Sequence, residues 1–164
     1  DRIYVANFES KSVSVFVKAD LAAREILAGN GPLKLFLLGD SVYVINHADN
    51  TLQEVREGGP IWPIPYEGLP DNLFAWGNGL VVTSHSPRAL FVSQFDPATA
   101  KFSLLHSETY PYGDTRFDSR NVSFYLSGQF GDAIYSLTNG KTASDGRLWI
   151  TDFLSGKLFV LSRE

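Results

Sequence analysis

An all-β fold assembled from repeated short antiparallel sheets is what this 164-residue sequence predicts, and three observations carry it. An apolar strand followed nine residues later by a second recurs five times: Tyr4 with Val13, Tyr43 with Leu52, Val81 with Leu90, Tyr125 with Ile134 and Trp149 with Leu158. The anchors Tyr4, Tyr43 and Val81 lie 39 and 38 residues apart, a period that suits propeller blades rather than helical solenoids. The segments themselves are short, rich in Val, Ile, Leu, Phe and Tyr, and bounded by Gly, Asn, Asp, Ser and Pro, as strands and hairpin turns are. The predicted class is therefore a β-propeller of about four-stranded antiparallel blades, a single domain over residues 1–164.

The first unit gives strands at Ile3–Asn7, Val13–Val17 and Arg24–Leu27, and Gly29-Asn30-Gly31-Pro32 crosses to the next blade. Helical periodicity is weak everywhere and is noticeable only over Asp20–Leu27. Leu33–Leu38 is the innermost strand of the second blade. Gly39-Asp40-Ser41 turns the chain into Val42–Asn46, and Asp49-Asn50 turns it into Leu52–Val55, both using residues that tolerate positive φ. Ile61-Trp62-Pro63-Ile64-Pro65 contains two prolines, which lack the ladder donor, so it is placed on the outer rim. Gly68-Leu69-Pro70 repeats the crossing, with Pro70 eleven residues before Val81 as Pro32 is before Tyr43. The third blade runs Leu73–Trp76, Leu80–Ser84, Leu90–Phe95 and Phe102–His106, and Tyr110-Pro111-Tyr112-Gly113 opens the fourth unit.

The spacing then shortens. Tyr125 to Trp149 is only 24 residues, and Ser136–Ser144 is too short, at about 3.3 Å per residue, to supply both an outer strand and the next inner one. Residues absent from the sequence near 138–144 are expected, with a degenerate blade as the alternative. The chain holds no Met, and Asp1 stands directly before a strand, so a processed or trimmed N-terminus is also expected.

Composition removes several classes of function. A net charge of −4 leaves no basic surface for a phosphate backbone, so nucleic acid is not an expected partner. No apolar run approaches the ~18 residues that a spanning helix needs. The absence of cysteine excludes disulfides, thiol nucleophiles and thiolate metal sites. There is no Gly-x-Ser-x-Gly, His-Glu-x-x-His, phosphate loop or EF-hand loop. Trp62, Trp76 and Trp149 each fit a strand pattern, which favours packing between blades over a sugar platform.

Ile3-Tyr4-Val5-Ala6-Asn7 with Ser12-Val13-Ser14-Val15, and Val42-Tyr43-Val44-Ile45-Asn46 with Asn50-Thr51-Leu52, resemble the YVTN repeat of surface-layer-type β-propellers. Val81-Val82-Thr83-Ser84 is looser, and Tyr125-Leu126-Ser127-Gly128 looser still. Asp145-Gly146-Arg147-Leu148-Trp149-Ile150-Thr151-Asp152 is also similar to the repeat of NHL and gluconolactonase-type propellers. The resemblance implies a ring of about seven blades, of which this chain holds about four. It also implies an extracytoplasmic address, periplasmic, cell-surface or secreted.

Candidate site residues follow from the repeat register. Position three after each anchor is Asn7, Asn46, Ser84, Gly128 and Asp152, small or polar groups that suit either turn caps or a polar ring at one mouth of a channel. Position four is Phe8, His47, His85, Gln129 and Phe153. Paired His47 and His85 suggest a metal, but two imidazoles fall short of the three or four ligands zinc takes, and Asp49 is the only carboxylate nearby in sequence; otherwise both are surface histidines beside turns. His106 has no evident partner. The candidate ligand-binding set is Asn7, Asn46, His47, Ser84, His85 and Asp152, with no catalytic and no metal-ligating residue assigned.

Two functions remain. One is a non-enzymatic binding or scaffold module of the bacterial cell envelope, holding a protein or small-molecule ligand at a propeller face without a cofactor. The other is a metal-dependent hydrolase or lyase of the gluconolactonase type, with Ca or Zn, for which Asn121 with Asp152 invites comparison. Asn121-Val122-Ser123 is also a formal glycosylation sequon.

Overall fold

A computed structural model describes residues 2–19, 22–86, 88–110, 138–152 and 156–163. Every regular element in these residues is a strand, in four antiparallel sheets. The first sheet holds β1 (Arg2–Asn7), β2 (Ser12–Val17) and β3 (Ala23–Leu27). The second holds β4 (Pro32–Leu38), β5 (Ser41–Asn46), β6 (Thr51–Glu54) and β7 (Ile61–Pro63). The third holds β8 (Leu69–Trp76), β9 (Gly79–His85), β10 (Ala89–Asp96) and β11 (Lys101–Thr109), and the last holds β12 (Thr138–Thr142), β13 (Leu148–Asp152) and β14 (Lys157–Leu161). In each sheet sequential strands are neighbours, and β7, with Pro63, lies at an edge. No helix of the described residues is long and apolar enough to cross a membrane.

Strand alternation builds the core. Successive side chains point to opposite faces, so Val42 and Val44 meet Val13, Val15 and Ile26 of the first sheet, while Tyr43 and Ile45 meet Leu80, Val82 and Phe95 of the third. Val81, on the other face of β9, packs with Leu90 and Val92 against Leu148 and Ile150 of the last sheet. Tyr43, Val44 and Val82 are 6%, 0% and 0% exposed, as expected of residues between sheets. Aromatic rings fill the second seam, with Trp62 4.7 Å and Phe102 5.0 Å from the ring of Phe95.

Three hairpins use one loop form. Lys11, Asn50 and Ala100 each adopt a positive φ just before the next strand, at 55°, 53° and 54°. Only Asn50 belongs to the residue types that tolerate this conformation readily.

The strand expected at Arg24–Leu27 is present as Ala23–Leu27, which pairs with β2 and sets Ile26 into the seam opposite Val13. Leu69-Pro70 is not a crossing but the start of β8, where Leu69 pairs with His85 and Pro70 with Ser84. The register slips at Asp71, as it does at Leu33 in β4. This bulge accommodates the proline at the head of an inner strand and re-aims the residue after it. Thr138–Thr142 forms the inner strand of the last sheet, continuous through a short turn with β13. The preceding unit, with Tyr125, Gly128, Gln129, Ile134, Asn121 and its sequon, lies outside the described residues, as does Phe153.

Candidate functional site

The register carries Asn7, Asn46, Ser84 and Asp152 to the corresponding ends of β1, β5, β9 and β13, so they rim one face of the array. Asn7 donates from Nδ2 to Ser12 Oγ at 3.1 Å and Ser14 Oγ at 2.7 Å. Asn46 repeats the device, donating to Thr51 Oγ1 at 3.0 Å and Gln53 Oε1 at 3.2 Å. In both sheets the amide ties its strand to the next one rather than capping the turn through a backbone N–H, which corrects the turn-cap expectation. Ser84 has no such partner, and its buried hydroxyl makes no hydrogen bond among the described residues.

The histidines are not surface groups, which corrects a second expectation. His47 and His85 are 8% and 7% exposed. Each leaves its strand end toward the following sheet, but they do not share a partner. His47 Nδ1 lies 2.6 Å from the Pro70 carbonyl, a hydrogen bond in which the ring donates to the inner strand of the third sheet. The bulge that follows Pro70 lifts Asp71 out of the regular ladder and beside His85.

At His85 the chemistry concentrates. Its Nε2 is 3.1 Å from Asp152 Oδ1 of the last sheet, and its Nδ1 is 3.3 Å from Asp71 Oδ1. Asp71 and Asp152 are 1% and 2% exposed, and Thr83 donates its hydroxyl to Asp71 Oδ1 at 2.7 Å. The Tyr110 ring stacks on the imidazole at 6.4 Å and 9°. Burial disfavours the imidazolium, but the two carboxylates outweigh it, Asp71 by charge and Asp152 by hydrogen bond, and raise the His85 pKa to about 9. The same enclosure raises the Tyr110 phenol above its ordinary value, first by burial and then by the charge of Asp152. Gly68, at φ 109°, lets the chain pass directly over the His85 backbone: a Cβ there would lie 2.5 Å from the His85 carbonyl carbon.

This arrangement is a clamp between sheets. Both ring nitrogens face carboxylates, so neither is left open toward a substrate or a metal ion, and no group of three His, Cys, Asp or Glu among the described residues is arranged to hold a metal. Sequence reasoning missed Asp71. The signal was present: at the same repeat position, directly after the crossing proline, the second sheet has Leu33. His106 also has neighbours, its ring lying 4.7 Å from Phe159 of the last sheet.

The opposite strand ends hold an open cavity of about 720 Å³. The β4–β5 and β8–β9 turns, with Gly39 and Asn78, form part of its wall, and Leu38 and Tyr43 give an apolar side. Gln94 and Arg163 add polar groups. Gln94 is fixed by donating to the Trp76 carbonyl at 3.0 Å, and the Arg163 guanidinium lies 5.2 Å from the centre of the Trp76 ring.

No family model and no curated protein matches the sequence. Among solved structures, virginiamycin B lyase from Staphylococcus aureus, in selenomethionine-substituted form, superposes with a TM-score of 0.65 at 11% identity, over 98% of this chain and 51% of that one. A streptogramin B lyase gives 0.63 at 14% identity, over 98% and 50%. The N-terminal part of BBS1, in complex with ARL6, gives 0.57 at 17% identity, over 98% and 49%. The chain thus spans about half the length of these structures, and at such identities the likeness speaks for architecture alone. That architecture, four antiparallel sheets among the described residues that superpose on these lyase structures, is that of a partial β-propeller.

Proposed function

We propose that this chain belongs to a non-enzymatic binding or scaffold propeller of the bacterial cell envelope, which holds a small-molecule or protein ligand at a propeller face. One observation supports the reading above others: the histidines, carboxylates and amides at the strand ends are engaged in holding strands and sheets together. His85 is clamped by Asp71 and Asp152, His47 by the Pro70 carbonyl, and Asn7 and Asn46 by their neighbouring strands. A general base or metal ligand needs a lone pair directed at open space, and His85, whose two ring nitrogens both face buried carboxylates, offers none. The cavity beside Tyr43 and Arg163, at the strand ends opposite the rim, then serves as the binding face. The envelope address rests on the resemblance of Ile3–Asn7 and Val42–Asn46 to YVTN repeats, and no cofactor is assigned.

The test is turnover. The purified chain is incubated with virginiamycin B and with a sugar lactone, with and without Mg, Ca and Zn, and products are followed by mass spectrometry. No turnover above buffer is expected in any condition. Metal-dependent ring opening of either compound would establish the hydrolase or lyase alternative and overturn the binding reading.

A further inference from the structure

The cavity beside Tyr43 is lined by one cation and one anion that do not neutralise each other. Arg163 and Asp96 both border it, and among the described residues neither takes part in an ion pair. Each charge is held in place by its surroundings. The Arg163 guanidinium lies 5.2 Å from the centre of the Trp76 ring, in space that Gly77 leaves open: a Cβ on Gly77 would fall on the guanidinium itself. Gly77 stands at φ 62°, so the turn that needs a glycine for its backbone also makes room for the cation. The ring contact uses none of the five guanidinium N–H donors, and none has a hydrogen-bond acceptor among the described residues.

Asp96 ends β10 opposite Lys101 in the ladder, but its carboxylate is fixed by its own turn. It accepts hydrogen bonds from Thr99 Oγ1 at 2.8 Å and Ala98 N at 2.9 Å. These bonds, Thr99 first, hold its carboxyl below the usual carboxylate range, so it is ionised at neutral pH. They take two of the roughly four lone-pair sites that a carboxylate has, which leaves acceptor capacity for a ligand.

Opposite charges on one lining select against ligands of a single sign. A simple anion gains from Arg163 and is repelled by Asp96, and a simple cation meets the reverse. A guanidinium fork matches a carboxylate, and a carboxylate accepts from an ammonium. The remaining wall is apolar at Leu38 and Tyr43, with Gln94 as a fixed amide. We propose that the cavity takes a small zwitterion with an aliphatic side chain, a free amino acid or a dipeptide, its carboxylate on Arg163, its ammonium on Asp96 and its side chain against Leu38 and Tyr43. The proposal rests on the reading of this cavity as the binding face and gives that face a ligand class.

Calorimetric titration of the protein with L-leucine and with leucyl-leucine is the test. At least one should bind saturably, with a Kd at or below about 1 mM, and the one that does identifies the source of the zwitterion. Its N-acetyl form, which lacks the ammonium, and its amide, which lacks the carboxylate, should each bind at least about tenfold more weakly. Asp96→Asn should lose affinity for the zwitterion and no longer distinguish it from the N-acetyl form, and Arg163→Gln should do the same for the amide, both with an unchanged circular dichroism spectrum. Failure of both zwitterions to bind, or binding undiminished by acetylation and amidation of the ligand, overturns the ligand class. The two readings fail separately. Cleavage of leucyl-leucine to leucine, followed by mass spectrometry, would keep the ligand class and overturn the non-enzymatic reading. Absence of zwitterion binding, with virginiamycin B and the lactone still inert, would overturn the ligand class alone.

Discussion

His85 and Asp152 stand 3.1 Å apart across the seam between the third and last sheets, although 67 residues separate them in sequence. Asp71 completes the contact from the other side of the ring. The imidazole therefore fastens two sheets by a buried ionic bond, and its protonation state is coupled to folding.

The pH dependence of stability follows from that coupling. An unfolded histidine titrates near 6.5, while folded His85 titrates at about 9, so the folded form holds a proton that the unfolded form releases between these values. The sign is then fixed: the contribution is complete below about pH 6.5, declines as pH rises, and is lost above about pH 9. Urea midpoints measured from pH 6 to 10 should fall across this window, by an amount on the order of 1–3 kcal/mol. His85→Gln should flatten the profile, and a slope unchanged in that variant would assign the titration to another group.

Breaking the clamp from the carboxylate side should be more damaging than removing a surface pair. Asp152→Ala leaves the His85 imidazolium with Asp71 alone in a site where all three groups are buried, and one-sided loss of a buried ion pair costs about 3–5 kcal/mol. Arg147 and Asp145, paired at the surface, are the contrast: Asp145→Ala should leave the urea midpoint close to that of wild type, because solvent screens the pair. Chemical denaturation of the two variants side by side provides the comparison.

The contrast between Asp152 and Asp71 also shows what the sequence made legible. Spacing of nine placed Asp152 at a strand end equivalent to those of Asn7 and Asn46, and alternation about the anchors was enough to put Tyr43 and Val82 in the core. Asp71 escaped because Gly68-Leu69-Pro70 reads as a crossing, and the bulge after Pro70 breaks the parity that alternation depends on. The histidines escaped for a different reason. Their burial is supplied by the next sheet, through the Pro70 carbonyl for His47 and Asp152 for His85, and a contact of that range leaves no trace in the local pattern. Likewise the cavity near Tyr43 is assembled from turns 38 residues apart, each of which alone reads as a plain hairpin.

The aromatic seam between the second and third sheets should dominate the stability of the array. Phe95 is fully buried and packs on Trp62, Phe102 and Tyr43, so Phe95→Ala removes a large side chain from a site that rigid neighbours cannot collapse to fill. A loss of about 3–5 kcal/mol is expected. Leu27, 82% exposed, supplies the control: Leu27→Ala should stay within about 0.5 kcal/mol of wild type by the same denaturation measurement.

His47 and His85 together give the last expected outcome. As solvated turn residues, their joint replacement by alanine would be neutral for stability. The structure makes it destabilising, and by unequal parts. His47→Ala removes one hydrogen bond and leaves the Pro70 carbonyl without that donor, which costs about 1–3 kcal/mol. His85→Ala leaves two buried carboxylates facing each other without the cation between them, a larger loss, relieved at low pH where protonation removes their repulsion. The two sites have separate partners, so the double variant should show the sum of the single effects within about 0.5 kcal/mol. Non-additivity beyond that range in a double-mutant cycle would mean that the two histidines are coupled after all, through the strand from Pro70 to Asp71 that both of them touch.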